Sequence, residues 1–352
     1  MDILVYGAGA VGGYLGGKLA LAGQLVTLVT RPDTAAAINR DGLHLTEGGD
    51  TRRALVRVVD SLADALTGST YGLIILGMKG YDLAEAVAHL AALCPEPARV
   101  MSTQNGIGIE EIIAGRFGTA RTLAGSVTIP ISRVDSNYLV VERAGRGLGL
   151  APVISGQSVT EWVTLFREAG INAGARDDYR AMKWSKAFLN IMGNATSAIL
   201  NRPPAALYRL QLIFDLEMRM LRETLAVMKR LGIEVINLPG ATARPLAHSL
   251  AYAPSFLLRQ VFTQVIVHGR GDKMPSFHID LSSGKGQSEV IFHNGAIAAA
   301  GRQVYVPVPV NAALSDTLQS LCRDRSRRAW FDGRPDRLLA VVREYEQGKV
   351  TL

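Results

Sequence analysis

The sequence predicts an α/β fold in which an N-terminal doubly wound sheet is followed by a mostly α-helical C-terminal domain. Three observations support this prediction. Short apolar runs alternate with helical stretches in the first half, a glycine-rich turn joins the first run to the first helix, and helical periodicity dominates from about residue 176. We expect two domains, 1–175 and 176–352, because 352 residues suffice for two cores.

The first thirty-one residues contain the most organised motif. Asp2–Tyr6 is a short apolar run, a small-residue helical stretch follows, and Leu25–Thr30 is a second buried strand. Between run and helix lies Gly7-Ala8-Gly9-Ala10-Val11-Gly12, the residues that we predict to bind the cofactor. A strand, glycine turn, helix and strand form the Rossmann-type unit that binds a dinucleotide, with the phosphates at the helix N-terminus. The alternative is a glycine turn that is only structural.

The residue at the end of the second strand indicates which nucleotide is bound. NAD sites usually carry an acidic residue there, which bonds the ribose 2′-hydroxyl. This chain has Arg31 instead, and a guanidinium can pair with a 2′-phosphate. We therefore predict NADP(H). The alternative is that Arg31 is an ordinary solvated charge, and the nearby Asp33 counts against a phosphate.

The rest of the N-terminal domain continues the alternation of strands and helices. Predicted helices are Thr34–Asn39, Leu83–Leu93, Ile109–Gly115 and Val159–Ala169, and predicted strands are Leu43–Leu45 with Ala54–Val59 in a hairpin-like pair, Leu73–Leu76, Arg99–Thr103 and β-rich segments within 122–131, 138–143 and 148–150. Ligands of such sheets lie outside the carboxyl ends of the strands. We therefore place Lys79, Gln104 and Asn105 at the ligand crevice, with a simple turn as the alternative for Asn105-Gly106.

The second half is predicted to be helical. The predicted helices are Tyr179–Leu200, capped by Asp177 or Asp178, then Tyr208–Leu231, Ala247–Val267, Ser288–Ala300 and Asn311–Asp324. The segment His268–Pro275 is predicted to be a flexible loop because it contains two glycines and ends at a proline.

Three polar residues follow one line of the helix predicted over Tyr179–Leu200. Lys186, Asn190 and Asn194 are spaced i, i+4 and i+8 in an otherwise apolar stretch. Such a line either faces a polar cleft or forms a narrow solvent-exposed strip. In a cleft, the lysine ammonium could stabilise an alkoxide and donate a proton, and the asparagines could hold substrate oxygens.

A second polar cluster contains Ser276, Asp280 and Glu289. Ser288 can cap a helix that starts near Glu289, and an acidic residue in a first turn favours the helix dipole. Helix capping and catalysis therefore explain the presence of an acidic residue at Glu289 equally well. We interpret His278 and His293 as structural and predict no metal site, because no third ligand has a suitable spacing.

The composition excludes several classes of protein. The two cysteines form no disulfide framework or zinc motif, and no apolar stretch or signal peptide indicates a membrane or export. The net charge of +7 is spread along the chain, so we expect anionic small-molecule ligands rather than nucleic acid. The expected location is the cytoplasm, and a homodimer is left open.

The motifs, taken together, resemble the ketopantoate reductase (2-dehydropantoate 2-reductase) family. The matching residues are Gly7-x-Gly9-x-x-Gly12, Arg31, Lys79, Gln104-Asn105-Gly106, Lys186-x-x-x-Asn190-x-x-x-Asn194, Ser276, Asp280, Glu289, Asn294-Gly295 and Pro309-x-Asn311. They occur in the order of the family over nearly the whole chain.

The resemblance implies an NADPH-binding N-terminal domain, a helical C-terminal domain and an active site in the cleft between them. It implies that Lys186 is the general acid and that Glu289 supports it or binds a substrate hydroxyl. It also implies that the substrate is held by Asn105, Asn190, Asn194 and Ser276, with Asn105 also near the nicotinamide ribose. Lys79 joins the cofactor-binding residues.

The function implied is reduction of a 2-oxo acid to a 2-hydroxy acid, with ketopantoate and pantothenate biosynthesis as the first hypothesis. The chain is longer than the compact members of the family, with an enlarged segment at 267–275 and a longer interval between Asp280 and Glu289. These differences lie where substrate specificity is set. The alternatives are an NADP-dependent dehydrogenase acting on another hydroxy acid and a non-catalytic NADP-binding sensor or scaffold.

Overall fold

A computed structural model describes residues 1–270 and 273–349 of the chain. The chain divides into two compact units. The first comprises Met1–Lys183 with Asn237–Ala241, and the second comprises Trp184–Ile236 with the chain from Thr242 onward.

The first unit contains two sheets. The strands are β1 (Asp2–Tyr6), β2 (Leu25–Val29), β3 (Leu43–Glu47), β4 (Asp50–Ala54), β5 (Arg57–Val59), β6 (Leu73–Leu76), β7 (Val100–Ser102), β8 (Thr122–Val127), β9 (Ile131–Asp135), β10 (Tyr138–Val141), β11 (Leu148–Pro152) and β12 (Ala173–Ala175). The eight-stranded sheet has the order β12-β11-β8-β7-β6-β1-β2-β5 and is parallel except where β11 meets β8. The second sheet has the order β4-β3-β10-β9.

The central strands are buried on both faces, which explains their continuous apolar sequences. Ile3, Leu4 and Val5 of β1 are 0% exposed, and β6 is buried throughout. The predicted hairpin-like pair is divided between the two sheets. β4 pairs with β3, whereas β5 pairs with β2 in the larger sheet. The predicted fold class, a Rossmann-type α/β sheet followed by a helical region, is confirmed.

Helices flank the sheet in the first unit and form nearly all of the second. They are α1 (Ala10–Leu21), α2 (Pro32–Asp41), α3 (Leu62–Leu66), α4 (Leu83–Leu93), α5 (Ile109–Phe117), α6 (Thr160–Glu168), α7 (Tyr179–Ile191), α8 (Ala195–Leu200), α9 (Pro204–Leu207), α10 (Gln211–Arg230), α11 (Arg244–Tyr252), α12 (Ser255–Arg270), α13 (Ser276–Ser283), α14 (Asn294–Gln303), α15 (Pro309–Arg323), α16 (Arg328–Phe331) and α17 (Pro335–Glu346). Short 3₁₀ turns occupy Gly80–Asp82, Thr119–Arg121, Glu289–Phe292 and Arg325–Arg327.

The prediction of one helix over Tyr179–Leu200 is wrong, because the chain breaks between α7 and α8. Gly193 has a φ of +61°, in the left-handed region that favours glycine. The carboxylate of Glu217, which is 0% exposed, accepts hydrogen bonds from Gly193 N at 2.9 Å, Thr196 Oγ1 at 2.5 Å and Tyr208 Oη at 3.0 Å. The break is therefore held from a distant helix, α10.

Three other predicted elements have different limits. The predicted helix Ala247–Val267 is two helices, α11 and α12, since Pro254 lies between them. The predicted helix Ser288–Ala300 is a 3₁₀ turn followed by α14. The predicted flexible loop His268–Pro275 begins inside α12, which extends to Arg270; Gly271 and Asp272 lie outside the described residues.

A buried ion pair fixes the start of α7 to the sheet of the first unit. Lys183 Nζ lies 2.9 Å from Glu110 Oε1, and the two side chains are 4% and 1% exposed. The same ammonium donates to the carbonyl oxygens of Gln104 at 2.7 Å and Gly125 at 3.1 Å. All three donor positions of the ammonium thus have acceptors, which offsets the cost of burying its charge.

We expect Lys183→Met to lower the free energy of unfolding of the first unit by about 3–5 kcal/mol, because Glu110 would remain buried without its counter-charge. Denaturant titration followed by circular dichroism measures this change. Arg121→Ala is the matched control, since the Arg121–Glu96 pair is exposed and should contribute less than about 1 kcal/mol. Equal effects of the two substitutions would contradict the assignment.

Candidate active site

Three glycines allow the ends of β1 and β6 to meet the start of α1. Gly7 has a φ of +98°. A Cβ on Gly12 would lie 2.2 Å from Gly7 O, and a Cβ on Gly77 would lie 2.3 Å from the same oxygen. Both distances are far below van der Waals contact, so no larger residue fits at either position without movement of the backbone.

The N-terminus of α1 has the form of an anion-binding site. Gly9 is its N-cap, and a Cβ there would come no nearer than 3.8 Å to its closest neighbour, Gly77 O. The amides of Gly7 and Ala8 donate to Val29 O at 2.9 and 3.3 Å, so these two residues shape the turn. The first-turn amides of Ala10–Gly12 lie at the positive end of the helix. This arrangement fits a pyrophosphate.

Arg31 has a second arginine as its neighbour. It is exposed and is the N-cap of α2, directly after β2. Arg133 of β9 donates to Thr34 Oγ1 at 2.8 Å, in the first turn of that helix. Burial and the charge of Arg31 lower the pKa of the Arg133 guanidinium, while Asp135 opposes the shift. Two guanidiniums that interact electrostatically at this strand end suit a 2′-phosphate.

The residues predicted at the ends of β6 and β7 have different environments. Lys79 is half-buried and is the N-cap of the 3₁₀ turn Gly80–Asp82. Gln104 does not have the ligand-facing position predicted for it, because it is 4% exposed and its amide donates to Leu76 O at 2.9 Å and Met78 O at 3.1 Å. Asn105 is half-buried, and Gly106 follows it with a φ of +110°. The backbone just before Asn105 is fixed by Lys183.

In the second unit, the break after α7 changes the predicted polar line. Lys186 and Asn190 lie one turn apart on α7, and both are half-buried. Asn194 does not continue that helix but is the N-cap of α8, at 3% exposure. Its Nδ2 donates to Asn190 O at 3.1 Å and to Ser276 Oγ at 3.3 Å. Its Oδ1 accepts from Phe277 N at 3.1 Å. The structure thus brings together Asn190, Asn194 and Ser276.

Glu289 lies in a buried polar turn. It is 5% exposed and begins the 3₁₀ turn Glu289–Phe292. Ser288 caps this turn as predicted, accepting from Val290 N at 3.2 Å. Asp280 of α13, at 3% exposure, accepts from Glu289 N at 3.1 Å. Two side-chain acceptors therefore fix the backbone around Glu289, which determines where its carboxylate can reach.

A buried network lies next to this turn. Asn294 Nδ2 donates to Asn311 Oδ1 at 3.0 Å, and Asn311 Nδ2 donates to Glu223 Oε2 at 2.8 Å. Glu223 also accepts from the backbone amides of Val310 and Asn311, at the start of α15. Burial raises the pKa of Glu223, and these hydrogen bonds oppose the shift. The two asparagines that matched the family pattern therefore hold α14 to α10 and α15.

Three polar residues that shape these groups were not predicted from the sequence: Lys183, Glu217 and Arg133. Lys183 lies three residues before Lys186, and the sequence alone does not indicate which of the two lysines is buried. Glu217 lies amid apolar residues on α10, which was a signal that could have been used. Arg133 carried no recognisable local pattern.

Among residues 1–270 and 273–349, no group of three or more histidine, cysteine, aspartate or glutamate side chains is placed to hold a metal ion. Cys94 is half-buried, Cys322 is buried, and both thiols are free. Within the same residues, no helix is long and apolar enough to cross a membrane.

Known proteins resemble this chain over most of its length. A family model described as ketopantoate reductase PanE/ApbA matches residues 3–147, and the model of its C-terminal region matches residues 178–321. A 2-dehydropantoate 2-reductase of Mesorhizobium japonicum is 31% identical over 258 residues, 66% of this chain and 77% of the relative. The enzyme of that name from Pyrococcus horikoshii is 29% identical over 89% of this chain and 95% of its own length.

A solved structure extends the similarity to the fold. The PanE/ApbA family ketopantoate reductase from Ralstonia eutropha JMP134 superposes with a TM-score of 0.78 at 25% identity, covering 93% of this chain and 100% of that one. The similarity in sequence and the similarity in fold both extend over nearly the whole chain. The chain therefore belongs to the ketopantoate reductase family, whose members are NADPH-dependent oxidoreductases.

Proposed function

We propose that this protein reduces 2-dehydropantoate (ketopantoate), a 2-oxo acid, to the 2-hydroxy acid pantoate with NADPH. The relatives from Mesorhizobium japonicum and Pyrococcus horikoshii bear the name 2-dehydropantoate 2-reductase, which supports this substrate. The observation that carries the proposal is the grouping of Asn190, Asn194 and Ser276 beside Lys186 in the second unit. The alternatives, another hydroxy acid and a non-catalytic NADP-binding role, are not favoured.

The first unit binds the nucleotide. The turn Gly7–Gly12 and the start of α1 receive the pyrophosphate, and Arg31 with Arg133 binds the 2′-phosphate. Lys79 and Asn105 complete the cofactor-binding residues. When bound, NADPH supplies a hydride to the carbonyl carbon of the substrate. We assign this role to residues 1–175, and catalysis and most of the substrate binding to residues 176–352.

Lys186 is the general acid. Hydride addition to a 2-oxo acid leaves negative charge on the former carbonyl oxygen. The ammonium of Lys186 stabilises that charge and transfers its proton to the oxygen, which yields the hydroxyl group of the product. Glu289 supports Lys186 or binds a substrate hydroxyl. Asp280 accepts from its backbone amide, and Ser288 accepts from the amide of the next residue, Val290.

Four residues hold the substrate. Asn190 and Ser276 offer an amide and a hydroxyl, groups that suit carboxylate, carbonyl and hydroxyl oxygens. Asn194 belongs to the substrate-binding residues because its amide contacts the Ser276 hydroxyl directly. Asn105 is the fourth residue of this set. The reaction takes place in the cytoplasm, within pantothenate biosynthesis, and requires no metal and no nucleic-acid partner.

Purified protein is expected to oxidise NADPH when ketopantoate is added, and to prefer it over other 2-oxo acids. Absorbance of NADPH at substrate saturation measures the rate, and chromatography identifies the product. The absence of turnover with ketopantoate and with a panel of related 2-oxo acids would show that the proposal is wrong.

Lys186→Ala is expected to lower kcat by about 10²–10⁴-fold, because both the proton donor and its charge are removed. The KM for NADPH should change little. Lys186→Arg keeps the charge but cannot release a proton at neutral pH. Its kcat should therefore lie between that of Lys186→Ala and that of the unsubstituted protein. Lys229→Ala, at an exposed position of α10, is the control. Near-normal turnover of Lys186→Ala would remove this residue from catalysis.

Arg31→Ala and Arg133→Ala are each expected to raise the KM for NADPH by about 10-fold or more, since a hydrogen bond to a charged group contributes about 1.5–3 kcal/mol. The KM for NADH, which lacks the 2′-phosphate, should change little. Arg52→Ala, exposed on β4, serves as the control. If the KM values for both nucleotides rise equally, these arginines do not bind the 2′-phosphate.

A further inference from the structure

Gln104 lies where two neighbouring strands of the large sheet end, and the proposed reaction gives it no role. The backbone pairing of β6 with β7 stops at Leu76 and Ser102. Two residues further on, the side chain of Gln104 is buried, and its NH₂ group donates to Leu76 O at 2.9 Å and to Met78 O at 3.1 Å. A side chain thus continues the connection between the two strands beyond their last backbone pair.

The partners of this amide determine its orientation. Carbonyl oxygens can only accept hydrogen bonds, so the NH₂ group must face Leu76 O and Met78 O. The other end of the amide, Oε1, accepts from Thr103 N at 3.1 Å. Both donor positions of the NH₂ group and one acceptor position of Oε1 therefore have partners, which holds the side chain of Gln104 in a single orientation.

The bonds of Gln104 restrain the backbone at two predicted cofactor-binding positions. Met78 O, which accepts from the side chain of Gln104, belongs to the peptide group that leads into Lys79. The carbonyl oxygen of Gln104 itself belongs to the peptide group that leads into Asn105, and it accepts from the buried ammonium of Lys183 at 2.7 Å. One buried residue therefore connects the backbone before Lys79 to the backbone before Asn105.

We propose that Gln104 is a positioning residue that sets the spacing of Lys79 and Asn105 for the nicotinamide half of NADPH. This inference rests on the proposed function, in which both residues bind the cofactor and Asn105 lies near the nicotinamide ribose. The 2′-phosphate, in the other half of the cofactor, is assigned to Arg31 and Arg133. Loss of the bonds of Gln104 should therefore weaken the binding of one half of the cofactor and not of the other.

Gln104→Met tests this proposal, because the methionine side chain has a similar length but donates no hydrogen bond. We expect the affinity for NADPH, measured by isothermal titration calorimetry, to fall by about 10-fold, as for lost hydrogen bonds. The affinity for adenosine 2′,5′-bisphosphate, which carries the 2′-phosphate and lacks nicotinamide, should stay within about two-fold. At saturating NADPH and ketopantoate, kcat should fall by about 10-fold or more, because hydride transfer depends steeply on the position of the nicotinamide.

Thr103→Val is the matched control. The side chain of Thr103 is also buried, and its Oγ1 donates to Leu76 O at 2.7 Å, the same carbonyl oxygen that Gln104 contacts. Valine keeps the shape of the side chain and removes this bond, but it leaves the bond from Gln104 to Met78 O in place. Both affinities and kcat should therefore stay within about two-fold of the values of the unsubstituted protein.

The ratio of the two affinities separates positioning from a merely structural role. An unchanged ratio in Gln104→Met, whether both affinities fall equally or neither falls, would overturn the proposal. A fall of the ratio in Thr103→Val as large as in Gln104→Met would overturn it as well.

A second variant covers a failure of Gln104→Met to fold. Gln104→Glu keeps the shape of the side chain and the acceptor for Thr103 N but loses the NH₂ group, and the same ratio of affinities is measured. If the unsubstituted protein binds NADPH but does not reduce ketopantoate, the proposed substrate is wrong, and the two affinities still test the role of Gln104. If it does not bind NADPH, both proposals are wrong.

Discussion

The carboxylate of Glu217 is the constraint on which the second unit depends. It is fully buried, and three donors from the backbone of Gly193 and from two side chains converge on it. These bonds compensate for its desolvation and hold a break that an uninterrupted helix would not contain. Because α7 ends there, Asn194 becomes the N-cap of α8 and reaches α13, where Ser276 and Phe277 lie. One buried carboxyl group thus arranges several other polar groups.

In the first unit, the arrangement of the turn before α1 depends instead on glycines, which have no side chain. Gly7, Gly12 and Gly77 let backbone atoms approach within distances that any Cβ would prevent. The turn before α1 can then bring helix amides, rather than charged side chains, to a phosphate. Lys183 complements this by bonding the carbonyl of Gln104, directly before Asn105. Backbone geometry positions the residues proposed to bind the nucleotide, and a buried polar network positions the residues proposed to bind the substrate.

The sequence was sufficient to predict the structural features that depend on neighbouring residues. The glycine turn, the buried strands, Arg31 at the end of β2 and the caps at Asp178 and Ser288 all follow from neighbouring residues. The sequence was insufficient to predict the features that depend on contacts between distant segments. The break at Gly193 depends on a carboxylate 24 residues away, and Arg133 reaches Thr34 across 99 residues. Gln104 was misplaced because only the packed sheet shows that its amide bonds the end of β6.

The proximity of Arg31 and Arg133 has a consequence for the stability of the first unit. Burial, together with repulsion from Arg31, lowers the pKa of the Arg133 guanidinium, while Asp135 opposes the shift. Folding therefore brings two like charges together at an energetic cost, which a dianion placed between them would relieve. By linkage, any such anion stabilises the folded state over the unfolded one. Phosphate-bearing ligands would then raise the melting temperature at low ionic strength, and added salt would diminish the gain through screening.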